Sequence, residues 1–296
     1  MTTADLAPRI VAERPRTRTL WSDAGRRFSK NRLAMVSLGV VAFFFLMALL
    51  AGVLAPGGYD YSVLTETLQF PSGQHLFGTD TIGRDQLTRI MYGARTSLLV
   101  GFGVQIFAFG IGVPLGALAG LRGGRTDWLI MRLLEVMTAF PGFLFALFVM
   151  SIIGSGVRQV IFAIGITSWI EVCRLTRGQL LSLREREFVT AARSYGADDR
   201  RVIVSHLLPS ALPPLIIMLA LSIPSAMFTE AGLSFLGLGI NDPIPSWGKM
   251  VGESMGYIRV YWHMGVFPTL AIALAMLSFN FVGDGLRDAL DPKMVV

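Results

Sequence analysis

At 296 residues, with 53% apolar residues, 16% charged residues and a mean hydropathy of +0.58, the chain has too little polar surface for a soluble domain. Its single cysteine, Cys173, excludes an internal disulfide, and the scattered His75, His206 and His263 add no metal-ligand spacing. The net charge of +6 is spread between apolar runs instead of forming one basic domain with stacking aromatics. That pattern argues against nucleic acid and for a multi-pass membrane protein with positive loops on one side.

Residues 1–33 are polar and hold eight Arg and Lys residues against Asp5, Glu13 and Asp23, as expected of a cytoplasmic tail. The apolar run from Ala34 to Ala55 has about the 20 residues a span needs. It is longer than a typical signal core, so a first transmembrane helix with its amino end inside is preferred to a cleaved signal peptide. An external segment, residues 56–97, follows Pro56-Gly57-Gly58. In it, Leu87, Ile90, Met91 and Ala94 share one helical face and predict an interfacial helix between Asp85 and Leu98. Arg84, Arg89 and Arg95 oppose the charge bias there, with Asp80 and Asp85 as the expected neutralising partners.

The membrane core is expected over 98–284. Its second span, Leu98 to Ala119, is followed closely by Gly120, and Gly112, Gly116 and Gly120 at intervals of four invite close approach by another helix, while Pro114 invites a kink. A basic turn with Arg122, Arg125 and Arg132 leads into a third span that ends near Ile153 and is interrupted at Phe140-Pro141-Gly142. The fourth span runs from Val160 to Thr176. The fifth runs from Ala211 to Leu233 and contains Pro213, Pro214 and Pro224. Residues 234–262, dense in Gly, Pro and aromatics, predict an ordered or re-entrant external loop. A sixth span from Met264 to Val282 and a cytoplasmic tail, 285–296, complete an all-α fold. Under this topology twenty basic residues lie inside and six outside, so both termini are expected in the cytoplasm.

Between the fourth and fifth spans, Arg184 to Pro209 reads REREFVTAARSYGADDRRVIVSHLLP. Phe188, Ala191, Ala192 and Tyr195 fall on one helical face, Gly196 interrupts the pattern, and Asp198 is a fitting N-cap for a second helix carrying Val202, Ile203 and Leu207. That helix is expected to stop at Leu208-Pro209. Such a pair could lie on lipid headgroups or dock on a protein. Glu185, Glu187, Asp198 and Asp199 would be repelled by anionic lipid, which favours the protein.

Intramembrane carboxylates are functional candidates by default. Glu135 follows Arg132 by three residues and Glu171 precedes Arg174 by three, so internal ion pairs are expected for both. Glu230 has no such neighbour. With Thr229 and Pro224 it is a candidate for a pathway or gate, the alternative being a structural hydrogen bond to another helix. The one Gly-Lys pair, Gly248-Lys249, is followed by Met250 and lacks the pattern of a phosphate loop. No nucleophile and base are evidently paired, so the chain is not expected to be an enzyme.

Three segments together resemble the inner-membrane permease subunits of bacterial ABC importers, in the dipeptide, oligopeptide and nickel branch, and within it the shorter C-type subunit. Arg184–Pro209 is similar to the cytoplasmic EAA loop of that superfamily, matching at Ala191, Ala192, Gly196, Leu208 and Pro209 and departing at Thr190 and His206. HLFGTDTIGRDQLTRIMYGARTSL and TEAGLSFLGLGINDPIPSWGKM are similar to the branch's two external motifs. The resemblance implies a type I importer permease fold in the bacterial inner membrane and a coupling helix at Phe188, Ala191, Ala192, Tyr195, Gly196, Ala197 and Asp198. It also implies a heterodimer with a longer sister permease, two ATPase subunits that carry ATP and Mg, and an extracytoplasmic solute-binding protein. Peptides are the implied cargo, though nickel, glutathione, opines and some oligosaccharides use similar subunits. An ATP-independent channel or export component and a purely structural scaffold are the readings from other classes.

Overall fold

The computed structural model describes residues 20–290, which contain eleven α-helices and no β-strand. Five helical segments are long and apolar enough to cross a membrane: α2 (Arg32–Leu54), α3 (Gln86–Arg122), α6 (Val157–Arg184), the run Ile203–Phe235 that includes α9 (Leu208–Phe235), and α11 (His263–Leu290). The sixth expected span is a broken pair, α4 (Gly124–Thr138) and α5 (Gly142–Ile153), bent by 81°. At 1.5 Å per residue these pieces are about 22 and 18 Å long, so neither crosses a bilayer core of about 30 Å alone. Pro141 is the N-cap of α5, where its missing N–H costs nothing.

The bundle has two ends. One, the loop end, holds residues 55–85 and 236–262, including the short helix α10 (Trp247–Ser254). The other, the arginine end, holds the turn into α4 and the pair α7 (Glu187–Ser194) and α8 (Asp199–Val202).

Several elements differ from expectation. Part of the tail expected at 1–33 is a helix, α1 (Leu20–Lys30). Ala24 and Phe28, one turn apart, pack against Ala289 and Leu290 of α11, whose own last turns fill the beginning of the tail expected from 285. The rest of both tails lies outside the described residues. Asn31 separates α1 from α2, its side chain accepting from the Ala34 N–H at 3.1 Å.

The expected interfacial helix is the first part of α3, which runs unbroken for 37 residues. Its predicted apolar face packs on protein: Ile90, Ala94 and Leu98 join Phe44 and Ala48 of α2, Met227 of α9 and Trp247 of α10. Arg89 does not end the span, because it is buried at 1% exposure against Asp80 at 2.7 Å and Glu253 at 2.8 Å. Asp80 also takes Arg84. Asp85, the other expected partner, instead caps α3 through the Thr88 N–H and bonds His75 at 3.0 Å.

Residues 234–262 fold inward. Ser246 caps α10, and Trp247, fully buried, donates its indole N–H to the Ile90 carbonyl at 2.9 Å while its backbone N–H donates to Ser97 Oγ at 3.2 Å. α10 is thus wedged among α3, α9 and α11. At its edge the Lys249 ammonium bonds Asp242 at 3.0 Å and holds that carboxyl below its ordinary range.

Candidate functional site

Gly112, Gly116 and Gly120 form one stripe on α3 that lies against α6, the most extensive helix pairing in the fold. A methyl at Gly112 would sit 2.7 Å from both the Trp169 carbonyl oxygen and Val172 Cβ, one at Gly116 would run into the Cys173 carbonyl, and one at Gly120 would lie 3.0 Å from the Arg177 carbonyl. The two backbones therefore approach closely over more than two turns. At the arginine end α6 is also tied to α4 by a bidentate ion pair, with Arg177 Nη2 donating to Asp127 Oδ2 at 2.6 Å and Arg177 Nε donating to Asp127 Oδ1.

Beside this rigid pair lies a cavity of about 710 Å³, walled mainly by α6 and α9. Pro214, Met218, Ser222, Ser225 and Thr229 recur every three or four residues and give α9 one lining face; Ile164, Thr167, Ser168, Glu171 and Leu175 do the same for α6. Gln105 of α3 is buried behind the cavity and ties α3 to α9 by donating to the Ser222 carbonyl at 3.0 Å. Phe143 of α5 and Arg287 of α11 complete the lining. Glu171, Ser225, Phe143 and Arg287 are exposed, so the cavity opens on the molecular surface along one side.

The structure separates the three residues grouped as pathway candidates. Thr229 lines the cavity, whereas Pro224 is buried in protein. Glu230 is also turned away, at 1% exposure, and accepts from Ser234 Oγ at 2.8 Å and Ser246 Oγ at 2.7 Å. Those bonds make it a bracket between α9 and the N-cap of α10, the structural alternative allowed for it, and keep it out of the cavity lining. Among the other carboxylates, Glu135 pairs with Arg132 at 2.8 Å as expected. Glu171 does not pair with Arg174, which reaches the Thr138 hydroxyl at 3.3 Å; the carboxylate projects into the cavity instead.

The α7–α8 segment has an inner and an outer face. Val189, Val202 and Leu207 are buried against Leu180 of α6 and Ala211 and Leu215 of α9, with Ala192 and Ala197 partly buried beside them. Phe188 at 42% exposure, Tyr195 at 93%, Ala191 and Gly196 face outward. Of the face predicted from periodicity, Phe188, Ala191 and Tyr195 are left uncovered and Ala192 turns inward, where it joins the residues that hold the pair to the two helices that wall the cavity. Gly196 turns the chain at φ +81°, a left-handed conformation that suits glycine, and Asp198 then caps α8 by accepting from the Arg201 N–H at 3.0 Å.

The second helix of the pair does not stop at Leu208-Pro209. It passes through a π turn, Ile203–Leu207, in which the Leu208 N–H bonds the Ile203 carbonyl, and continues as α9. The wider turn places Pro209 in the first turn of α9, where its missing donor breaks nothing. The cavity wall and α8 are thus joined through one continuous helical path, to which α7 is attached across the turn at Gly196.

Residues 112–296 match the family model described as the binding-protein-dependent transport system inner membrane component, and residues 19–71 match the N-terminal TM domain of oligopeptide transport permease C. Similar proteins include the dipeptide transport system permease protein of Bacillus subtilis (strain 168), 42% identical over 92% of this chain and 85% of the relative. The oligopeptide transport system permease protein of the same organism is 40% identical over 93% of this chain and 90% of the relative. A glutathione transport system permease protein of Pectobacterium atrosepticum is 39% identical over 98% of this chain and 97% of the relative. Among solved structures, a chain of the MetNI methionine ABC transporter in an inward-facing conformation superposes with a TM-score of 0.57 at 20% identity, over 68% of this chain and 96% of that chain, and so shares the fold. By these matches, and with a membrane bundle that holds a cavity between α6 and α9, the chain belongs to the family of binding-protein-dependent transport system inner membrane components, the permease subunits of ABC importers.

Proposed function

We propose that this chain forms half of the translocation pathway of an ATP-driven importer of di- or oligopeptides and passes the work of partner ATPases to its spans. The observation that carries this reading is the two-faced α7–α8 pair: its outer face is uncovered, and its inner face is locked to α6 and α9, the walls of the cavity. On this reading the arginine end faces the cytoplasm, and Phe188, Ala191, Ala192, Tyr195, Gly196, Ala197 and Asp198 enter or flank a cleft on an ATPase subunit. ATP and Mg bind on two such subunits. A longer sister permease closes the open side of the cavity, supported by the exposed Leu133, Val136, Phe140 and Leu144 on the bent pair beside it. A solute-binding protein delivers cargo at the loop end.

ATP binding then draws the ATPases together, the helix pairs move with them, and α6 and α9 swing to open the cavity toward the loop end; hydrolysis reverses the motion. Tyr195→Asp tests the lever, because a side chain this exposed contributes little to folding of the isolated chain. In vesicles holding the whole complex, peptide uptake and cargo-stimulated ATP hydrolysis are expected to fall at least about tenfold, the scale of one interface hot spot. Wild-type coupling in that variant would overturn the docking assignment. Glutathione is itself a peptide, and its transporter's permease is 39% identical to this chain. Competition between it and alanine peptides for the solute-binding protein decides between the two cargoes.

A further inference from the structure

We infer that Glu171 is a cation-recognition point within the cavity and accepts the α-ammonium group of a peptide in transit, an inference that rests on the peptide-import reading above. Glu171 sits halfway along α6 and points into the cavity, and among the described residues no ion pair neutralises it. Arg174, one turn away, is engaged with Thr138; Arg177 is engaged with Asp127. Arg287, the other charged residue of the lining, lies in the last turn of α11 and makes no ion pair with Glu171. A carboxylate without a counter-ion in a membrane span is costly, and function is the usual reason for keeping one.

Three hydroxyls of the lining offer acceptors alongside the carboxylate. Thr167 and Ser168, one turn before Glu171, both donate to the Ile164 carbonyl at 2.9 Å, and Thr229 across the cavity donates to the Ser225 carbonyl at 2.9 Å. A hydroxyl has one donor and two acceptor lone pairs, so these three have spent their donors on their own helices and offer only acceptors to the cavity. One carboxylate with three acceptor hydroxyls suits an ammonium, which has three N–H donors and no acceptor. The peptide would enter this stretch by its amino end.

The test uses the complete complex in vesicles, with a mixture of short alanine peptides as cargo and assembly checked by size-exclusion chromatography. Glu171→Gln keeps shape and removes charge. It is expected to raise the peptide concentration for half-maximal uptake about tenfold or more, as for loss of a charge-assisted hydrogen bond. Glu171→Asp, which keeps the charge, should recover most of the uptake; a merely structural role would not order the two variants this way. Wild-type uptake with Glu171→Gln within twofold of it would overturn this inference alone. An assembled, ATP-hydrolysing wild-type complex that takes up no alanine peptide would overturn the peptide reading, and this inference with it.

Discussion

Removing the acceptor at Glu230 strands two buried hydroxyls. Glu230→Leu leaves Ser234 and Ser246 without their shared partner, and each orphaned hydroxyl costs about 1–3 kcal/mol. A clear drop in the detergent-solubilised melting temperature is expected. Glu230→Gln keeps an acceptor oxygen at the same place and should stay within about 1 kcal/mol of wild type. If both variants melted like wild type while uptake collapsed, the bracket would be the wrong description and a pathway role would return. Asp242 makes an instructive contrast. Its carboxyl is also held by a partner, Lys249, but its side chain is 76% exposed. Because that pKa is lowered, the stability it brings is present above the ordinary carboxylate range and fades as pH falls through the lowered value. Solvent screening keeps that contribution small.

At the scale of elements, the α3–α6 seam carries a steric signature repeated over successive turns of α3, at Gly112, Gly116 and Gly120. Gly116→Val drives a branched side chain into the Cys173 carbonyl and is expected to destabilise the protein by about 1–3 kcal/mol or prevent its accumulation. Gly110→Ala, on the same helix with nothing within 4 Å, should be neutral or gain about 0.5–1 kcal/mol from helix propensity. Thermal unfolding of the two variants side by side reads the difference; equal melting points would contradict the close approach. Spacing alone exposed this seam, because a stripe of small residues is a local pattern. The uncovered side of α7 was legible in part for the same reason, at Phe188, Ala191 and Tyr195 but not at Ala192, which packs inward. Other features depend on partners distant in sequence. Arg89 makes the start of α3 look interfacial until Glu253, 164 residues later, is brought beside it. Glu171 looks paired with Arg174 until Thr138 is seen to occupy that arginine. The helix α1 was hidden by the arginines around Ala24 and Phe28, and the π turn by Pro209, which ordinarily marks a boundary.

For the whole molecule, orientation is the proposal with the most consequences, since it decides which end meets ATPases and which meets delivered cargo. Cys173 is fully buried, so the wild-type chain gives little background to thiol labelling. Tyr195→Cys and Tyr61→Cys place thiols at exposed positions of opposite ends, at 93% and 67% exposure. In intact spheroplasts a membrane-impermeant maleimide is expected to label position 61 and to reach position 195 only after permeabilisation. The reverse pattern would invert the topology and remove the ATPase from the uncovered face. At the loop end, buried Asp80, Arg84 and Arg89 and the partly exposed Glu253 join residues 56–85 to α10 as one cap over the bundle.

The π turn at Ile203–Leu207 sets an angular phase. It holds about one residue more per turn than an α-helix, and one residue corresponds to about 100° of rotation. The direction in which Val202 of α8 points is thereby offset from the direction in which Ser222, Ser225 and Thr229 of α9 point, although one helical path joins them. Five residues therefore act like the offset in a crankshaft, so that the buried side of α8 and the cavity-lining side of α9 can each be aimed by its own stretch of sequence.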